Sequence, residues 1–156
     1  MTFSNTDFVR ESNRIEGIHR EPTEAEVKEH ERFLNLEQIT IEELERFVKA
    51  YQPNAELRSR AGLNVYVGNH VPPSGGHEVV AALQDIVDQA NAPVPTTITE
   101  CMRRAYDLHI AYETLHPFTD GNGRSGRMLW RWLIPHAPLG FLHHWYYQTL
   151  QFSQSK

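Results

Sequence analysis

Cysteine, long apolar runs and basic tracts are the three things this chain lacks. Cys101 is the sole cysteine among 156 residues, so no disulfide can form within the chain, and a reducing compartment fits. It falls in a helical pattern and reads as a small core or boundary residue. No stretch approaches the length of apolar sequence needed to span a bilayer, and no apolar signal region opens the chain. The expectation is a cytoplasmic protein with no membrane partner. The formal net charge is -5 and no run of Lys or Arg occurs, which argues against nucleic acid as a main partner. The acidic surplus reads as an ordinary solvated surface. Repeats, low-complexity tracts and long linkers are also missing, so residues 1–156 are expected to form a single domain around one core. Composition does not set the oligomeric state.

What is present is concentrated in one stretch, residues 116–127. Ile98, Met102, Ala105, Leu108, Tyr112 and Leu115 recur at helical spacing before it. Pro117 disfavours the α region for His116, so that helix should stop there. A second helical pattern runs from Arg124 to Leu133 and stops before Pro135. The stretch is therefore a loop feeding a helix N-terminus, where free backbone N–H groups and the dipole favour an anion. Gly121 and Gly123 flank Asn122 and let the backbone approach a ligand closely. His116 supplies an imidazole that can act as a general base near neutral pH. Asp120 is a single carboxylate, enough for Mg²⁺ when phosphate oxygens and waters complete the shell, or simply a turn aspartate. Arg124 and Arg127 lie three apart and project together, as planar two-pronged phosphate contacts would. Phe118 reads as a core anchor for the loop. The other histidines are read as structural: His109 and His116 alone are weak grounds for a metal, and His143 and His144 have no cluster near them.

Elsewhere the chain reads as helices with one interruption. Residues 4–17 form a helix capped by Ser4, Asn5 or Thr6, with Phe8 and Ile15 on one face and Gly17 at its end. Ser12 and Glu16 are four apart and share a face. Pro22 suits the first turn of the next helix. Thr40 with Glu43, and Thr97 with Glu100, are capping-box patterns, and Ile39 with Leu44 forms a hydrophobic staple. The helix after Thr40 should run to about Tyr51. Residues 77–90 make another, with Val80, Leu83, Val87 and Ala90 on one face, and residues 141–152 an aromatic-rich last one. Residues 63–71 break the habit: Val65 and Val67 alternate with polar neighbours, and Gly68-Asn69 signals a turn. A small hairpin with an exposed edge is expected, lying against the helical body. The fold class is all-α, a compact helical bundle with one β-hairpin.

His116-Pro117-Phe118-Thr119-Asp120-Gly121-Asn122-Gly123-Arg124-Ser125-Gly126-Arg127 resembles the signature of Fic-domain proteins, H-P-F-x-[D/E]-G-N-G-R-x-x-R, at every fixed position. Ser12-Asn13-Arg14-Ile15-Glu16-Gly17 likewise resembles the [S/T]-x-x-x-E-[G/N] inhibitory motif that one class of the family carries at its N-terminus. The resemblance implies a protein adenylyltransferase that moves AMP from ATP to a hydroxyl side chain of a target protein. On that reading His116 deprotonates the target hydroxyl and Asp120 holds Mg²⁺ against the α- and β-phosphates. The Gly121–Gly123 backbone forms the anion hole with Asn122 assisting at the α-phosphate, and Arg124 and Arg127 orient the β- and γ-phosphates. Pyrophosphate leaves. Glu16 reaches Arg127 and displaces the γ-phosphate, with Ser12 on the same helix. Residues 63–71 become a flap along which the target segment adds as a strand. The motif does not encode the adenine and ribose contacts, for which Tyr146 and Tyr147 are weak candidates. Alternatives stay open: removal of AMP by a water that Glu16 activates, transfer of another phosphate-containing group, or a module that binds nucleotide or partner without turnover.

Overall fold

A computed structural model describes residues 4–134 of the chain. The helix expected over residues 141–152, with Tyr146, Tyr147, His143 and His144, lies outside the described residues. Six helices follow one another: α1 (Asn5–Ile15), α2 (Glu24–Leu34), α3 (Ile41–Tyr51), α4 (His77–Ala90), α5 (Ile98–Leu115) and α6 (Asn122–Leu133). Among the described residues the architecture is all-α. No helix among them is long and apolar enough to cross a membrane.

Local chemistry explains where most helices begin. Ser4, Thr23, Thr40 and Thr97 each accept a hydrogen bond from the N–H three residues on, worth about 1 kcal/mol apiece. Ser4 and Thr23 complete full capping boxes with Asp7 and Glu26. Pro22 therefore sits one residue before the cap of α2, outside the first helical turn expected of it; the Thr23–Glu26 box sets the start. Thr40 and Thr97 cap as expected, but the reciprocal half is not made, and Glu43 pairs with Arg32 at 2.5 Å instead. α1 ends in a Schellman arrangement: Gly17, at φ +77°, donates to Arg14 O and Ile18 donates to Asn13 O. That ending places Glu16 at the C-cap.

The core joins α2–α6. Phe33, Ile39, Leu44, Phe47, Leu83, Leu108, Tyr112, Met128 and Leu129 are buried together, each apolar side chain contributing roughly 1.5–3 kcal/mol. The buried face of α4 centres on Val79, Leu83, Ile86 and Val87 rather than on Val80, which is half-buried. Ile98, at the start of the α5 stripe, is exposed because the helix has not yet reached the core there. α6 is the central element, packed against α1, α2, α3 and α5. Its residues from Arg124 to Arg131 are all buried, which puts three guanidiniums inside the molecule.

The expected hairpin is much reduced. Among residues 63–71 only Val67 and His70 pair, as a single antiparallel bridge around Gly68-Asn69. The turn forms where the residues predict it, but Pro72 and Pro73 follow at once and cannot extend the ladder. Tyr66 is left 77% exposed.

Candidate active site

The loop after α5 is closed by its own side chains. Asn122 Oδ1 accepts from Phe118 N–H at 2.9 Å and Asn122 Nδ2 donates to Phe118 O at 2.8 Å. The Asn122 amide thus clasps the loop. Phe118 is fully buried, as an anchor should be. Gly121 adopts φ +78°, a left-handed cap that a side chain would strain. No side chain caps α6; its first intrahelical donor is Ser125 N–H, to Gly121 O. The N–H groups ahead of Ser125 are those a helix start leaves open to an anion.

A cleft of about 520 Å³ opens over this helix start. His116, Asp120, Gly121, Asn122, Gly123 and Arg124 form its floor; Glu16 and Ile18 form one wall and Val65, Tyr66 and Val67 the other. The structure thus brings together the loop residues, the end of α1 and the 63–71 segment, which are remote in sequence.

His116 caps α5 in a left-handed conformation, φ 47° and ψ 67°. Its Nδ1 lies 2.5 Å from Glu113 O. A carbonyl can only accept, so Nδ1 carries the proton and the neutral ring keeps its lone pair on Nε2. Burial lowers the pKa of His116 below its usual value, and His70 and Arg58 push the same way against the Glu113 hydrogen bond and the Glu16 charge. A neutral, accepting Nε2 near neutral pH is what a general base requires. His109 stands apart: it is buried, bonded to Gly126 O at 2.9 Å, and burial holds its pKa down to about 4. It joins α5 to α6.

The two arginines have different surroundings. Arg127 is 1% exposed and donates Nε to Ser12 Oγ at 2.7 Å, and Nη2 to Ser12 O at 3.0 Å and Glu16 Oε1 at 2.7 Å. Arg124 reaches the cleft, donates to Asn13 Oδ1 at 3.3 Å and lies over the Tyr51 ring at 5.1 Å. The Glu16 carboxylate, 39% exposed, lies directly over Gly123, where a Cβ would collide with it. An anion already sits at the helix start, and it is the protein's own. Asp120 is exposed at the cleft edge, with Oδ1 accepting from Gly121 N–H at 2.8 Å. Its second oxygen and exposure suit one ligand of a hydrated divalent ion. No group of three or more His, Cys, Asp or Glu that could hold a metal occurs among the described residues.

Sequence reasoning missed three contributors. Asn13 sits inside the Ser12–Glu16 spacing but carried no signal beyond adjacency. His70 Nε2 meets Thr114 O at 2.8 Å and ties the 63–71 segment to α5. Arg58, fully buried, bonds backbone at the end of α5 and at both ends of the 63–73 segment, and nothing in its local pattern marks it.

Protein adenylyltransferase fic-1 of Caenorhabditis elegans is 45% identical over 65 residues, 42% of this chain and 12% of that protein. Protein adenylyltransferase Fic of Drosophila willistoni is 36% identical over 73 residues, 47% of this chain and 14% of that protein. The Drosophila melanogaster protein of that name is 34% identical over the same length. The chain thus spans a small part of the curated relatives it matches. The model of the Fic/DOC family matches residues 15–134, from the last residue of α1 through all of α6. With most of the chain and the whole cleft floor inside that match, the chain belongs to the Fic/DOC family.

Proposed function

We propose that the chain is a self-inhibited protein adenylyltransferase. The observation that carries this reading is that His116 shares one cleft with a helix start that no side chain caps and over which Glu16 lies. ATP is the substrate: its phosphates take the open N–H groups of α6 and the part of Arg124 that lines the cleft. The target hydroxyl attacks the α-phosphorus while His116 Nε2 accepts its proton. The bond from the α-phosphorus to the bridging oxygen breaks, and pyrophosphate leaves with that electron pair. Asp120 would hold Mg²⁺, which supplies charge neutralisation to the phosphates. The target segment lies along residues 63–71, whose backbone is nearly unpaired, and adds there as a strand. Glu16 and Ser12 hold Arg127 away from the γ-phosphate, so the resting state is inhibited. The lone free cysteine fits a cytoplasmic, reducing setting.

Glu16 lines the same cleft as His116, so its carboxylate is also placed to activate a water. Removal of AMP is therefore the second reading. Intact-mass analysis with ATP and Mg²⁺ separates the two. An adenylate adduct gained by added protein, or by the chain itself, supports transfer, and loss of a pre-installed adduct supports removal. No change in either direction leaves a binding module.

A further inference from the structure

Arg58 lies between α3 and α4, 0% exposed, and its hydrogen bonds go to backbone carbonyls. Nε donates to His116 O at 2.6 Å and Nη2 to Leu115 O at 2.7 Å. Nη1 donates to Pro73 O at 2.7 Å and Leu63 O at 3.2 Å. Its main chain adds to this: the N–H donates to Pro117 O at 2.8 Å and the carbonyl accepts from Gly76 N–H at 3.0 Å. One side of the guanidinium fork thus holds the end of α5, and the other holds both ends of the segment that carries Val65, Tyr66 and Val67.

Burying a guanidinium is costly unless its donors are satisfied. Here the acceptors are fixed carbonyls, and two of them, Leu115 and His116, stand at a helix end where no intrahelical donor remains. His116 is the only non-glycine residue at positive φ among the described residues, and a proline follows it. That combination is strained and persists only where the surroundings over-determine it. The Arg58 side-chain bonds to Leu115 O and His116 O are part of those surroundings. Releasing them lets the backbone relax towards the β region and swings the imidazole away from Glu113 O. A lysine keeps the charge, but a single ammonium cannot reproduce a planar fork that reaches four carbonyls on two sides.

We propose that Arg58 is a positioning residue that holds the His116 imidazole and the 63–73 segment in one frame, so that base and target-binding edge keep a set separation. The inference rests on His116 acting as the base in the reading above. Arg58→Lys is compared with the parent, both alone and in the Glu16→Gly background. Imidazole ¹⁵N NMR reads the His116 tautomer without any reaction. The parent is expected to hold the Nδ1–H form, and the variant, folded by circular dichroism, to sample both. In the Glu16→Gly background kcat should fall about 10–100-fold, with KM for ATP within about twofold. A folded variant that keeps the parental tautomer overturns the inference, as does a changed tautomer with an unchanged kcat. If the Glu16→Gly protein transfers nothing, the functional reading fails while the tautomer still decides the role of Arg58. If Arg58→Lys does not fold, the parent is tested for through-hydrogen-bond coupling between Arg58 Nε–H and the His116 carbonyl carbon; observed coupling supports the inference and its absence overturns it.

Discussion

On the α1 side of the cleft, side chains do the joining. Arg124, Arg127 and Arg131 of the buried α6 are met by Asn13, by Ser12 with Glu16, and by Asn5, from α1 and its C-cap. On the opposite side the 63–73 segment contributes one β-bridge, the His70 contact to Thr114 O and backbone held by Arg58. The first wall depends on the identity of a few polar side chains, so single substitutions can open it. The second depends on where backbone groups lie, and most side-chain changes there should matter little. A wall of the first kind suits regulation, and one of the second suits recognition of an extended segment whatever its sequence.

The floor shared by both walls carries the largest expected effect. His116→Ala in the Glu16→Gly background should lower transfer ~10²–10⁴-fold while ATP affinity holds, measured by labelled-AMP incorporation and calorimetry. Near-normal labelling would remove the base and make the contrast between walls irrelevant to chemistry.

Opening the α1 wall comes next. Glu16→Gly removes the carboxylate over Gly123 and leaves Arg127 to Ser12. The pair is half-exposed on the Glu16 side, which tempers its strength, so the expected rise in AMP transfer is ~10–100-fold. A folded variant no faster than the parent would return Glu16 to an ordinary surface role.

The backbone wall is tested by proline. Val65→Pro leaves the Val67–His70 bridge in place and removes one edge N–H. Modification of added protein should fall about tenfold with ATP affinity unchanged, whereas Val65→Thr should do little. Equal loss of both activities would point to unfolding and erase the distinction between the walls.

Ser12→Ala is a finer cut at the α1 wall. It deletes the Oγ that accepts from Arg127 Nε, a contact worth roughly 1 kcal/mol, and keeps Glu16. A rise of about fivefold, below that of Glu16→Gly, is expected. A rise matching Glu16→Gly would place the restraint in helix docking rather than in the carboxylate.

The smallest effect is in the pH profile. A protonated His116 cannot accept the target's proton, so transfer is lost as pH falls through its pKa. Burial sets that pKa below 6.5. The acid limb of kcat/KM for the Glu16→Gly variant should therefore lie below pH 6.5. A limb at or above 6.5 would mean that His116 is solvated rather than buried in the cleft floor.

Local interactions decided what could be read from the sequence. Ser4, Thr40 and Thr97 mark helix starts because a cap is made by a residue with the N–H three positions later. Gly17 marks the end of α1 because a left-handed residue closes a Schellman turn whatever surrounds it. The floor of the cleft lies within a single stretch of residues, so its composition and order are visible without a fold. Apolar periodicity located α4 and α5 but blurred their buried faces by one residue at Val80 and left Ile98 solvated, because neighbouring helices choose the face.

Tertiary structure alone decided the relations between remote segments. Ser12 to Arg127 and Asn13 to Arg124 each span 111 or more residues, and no local pattern fixes which polar group meets which. The hairpin shrank to one bridge because strand pairing needs a partner edge, which the two prolines and the helical body do not provide. Arg58 is the sharpest case. Its partners are backbone carbonyls, which every residue possesses, so nothing in the order of side chains distinguishes it from an arginine on the surface.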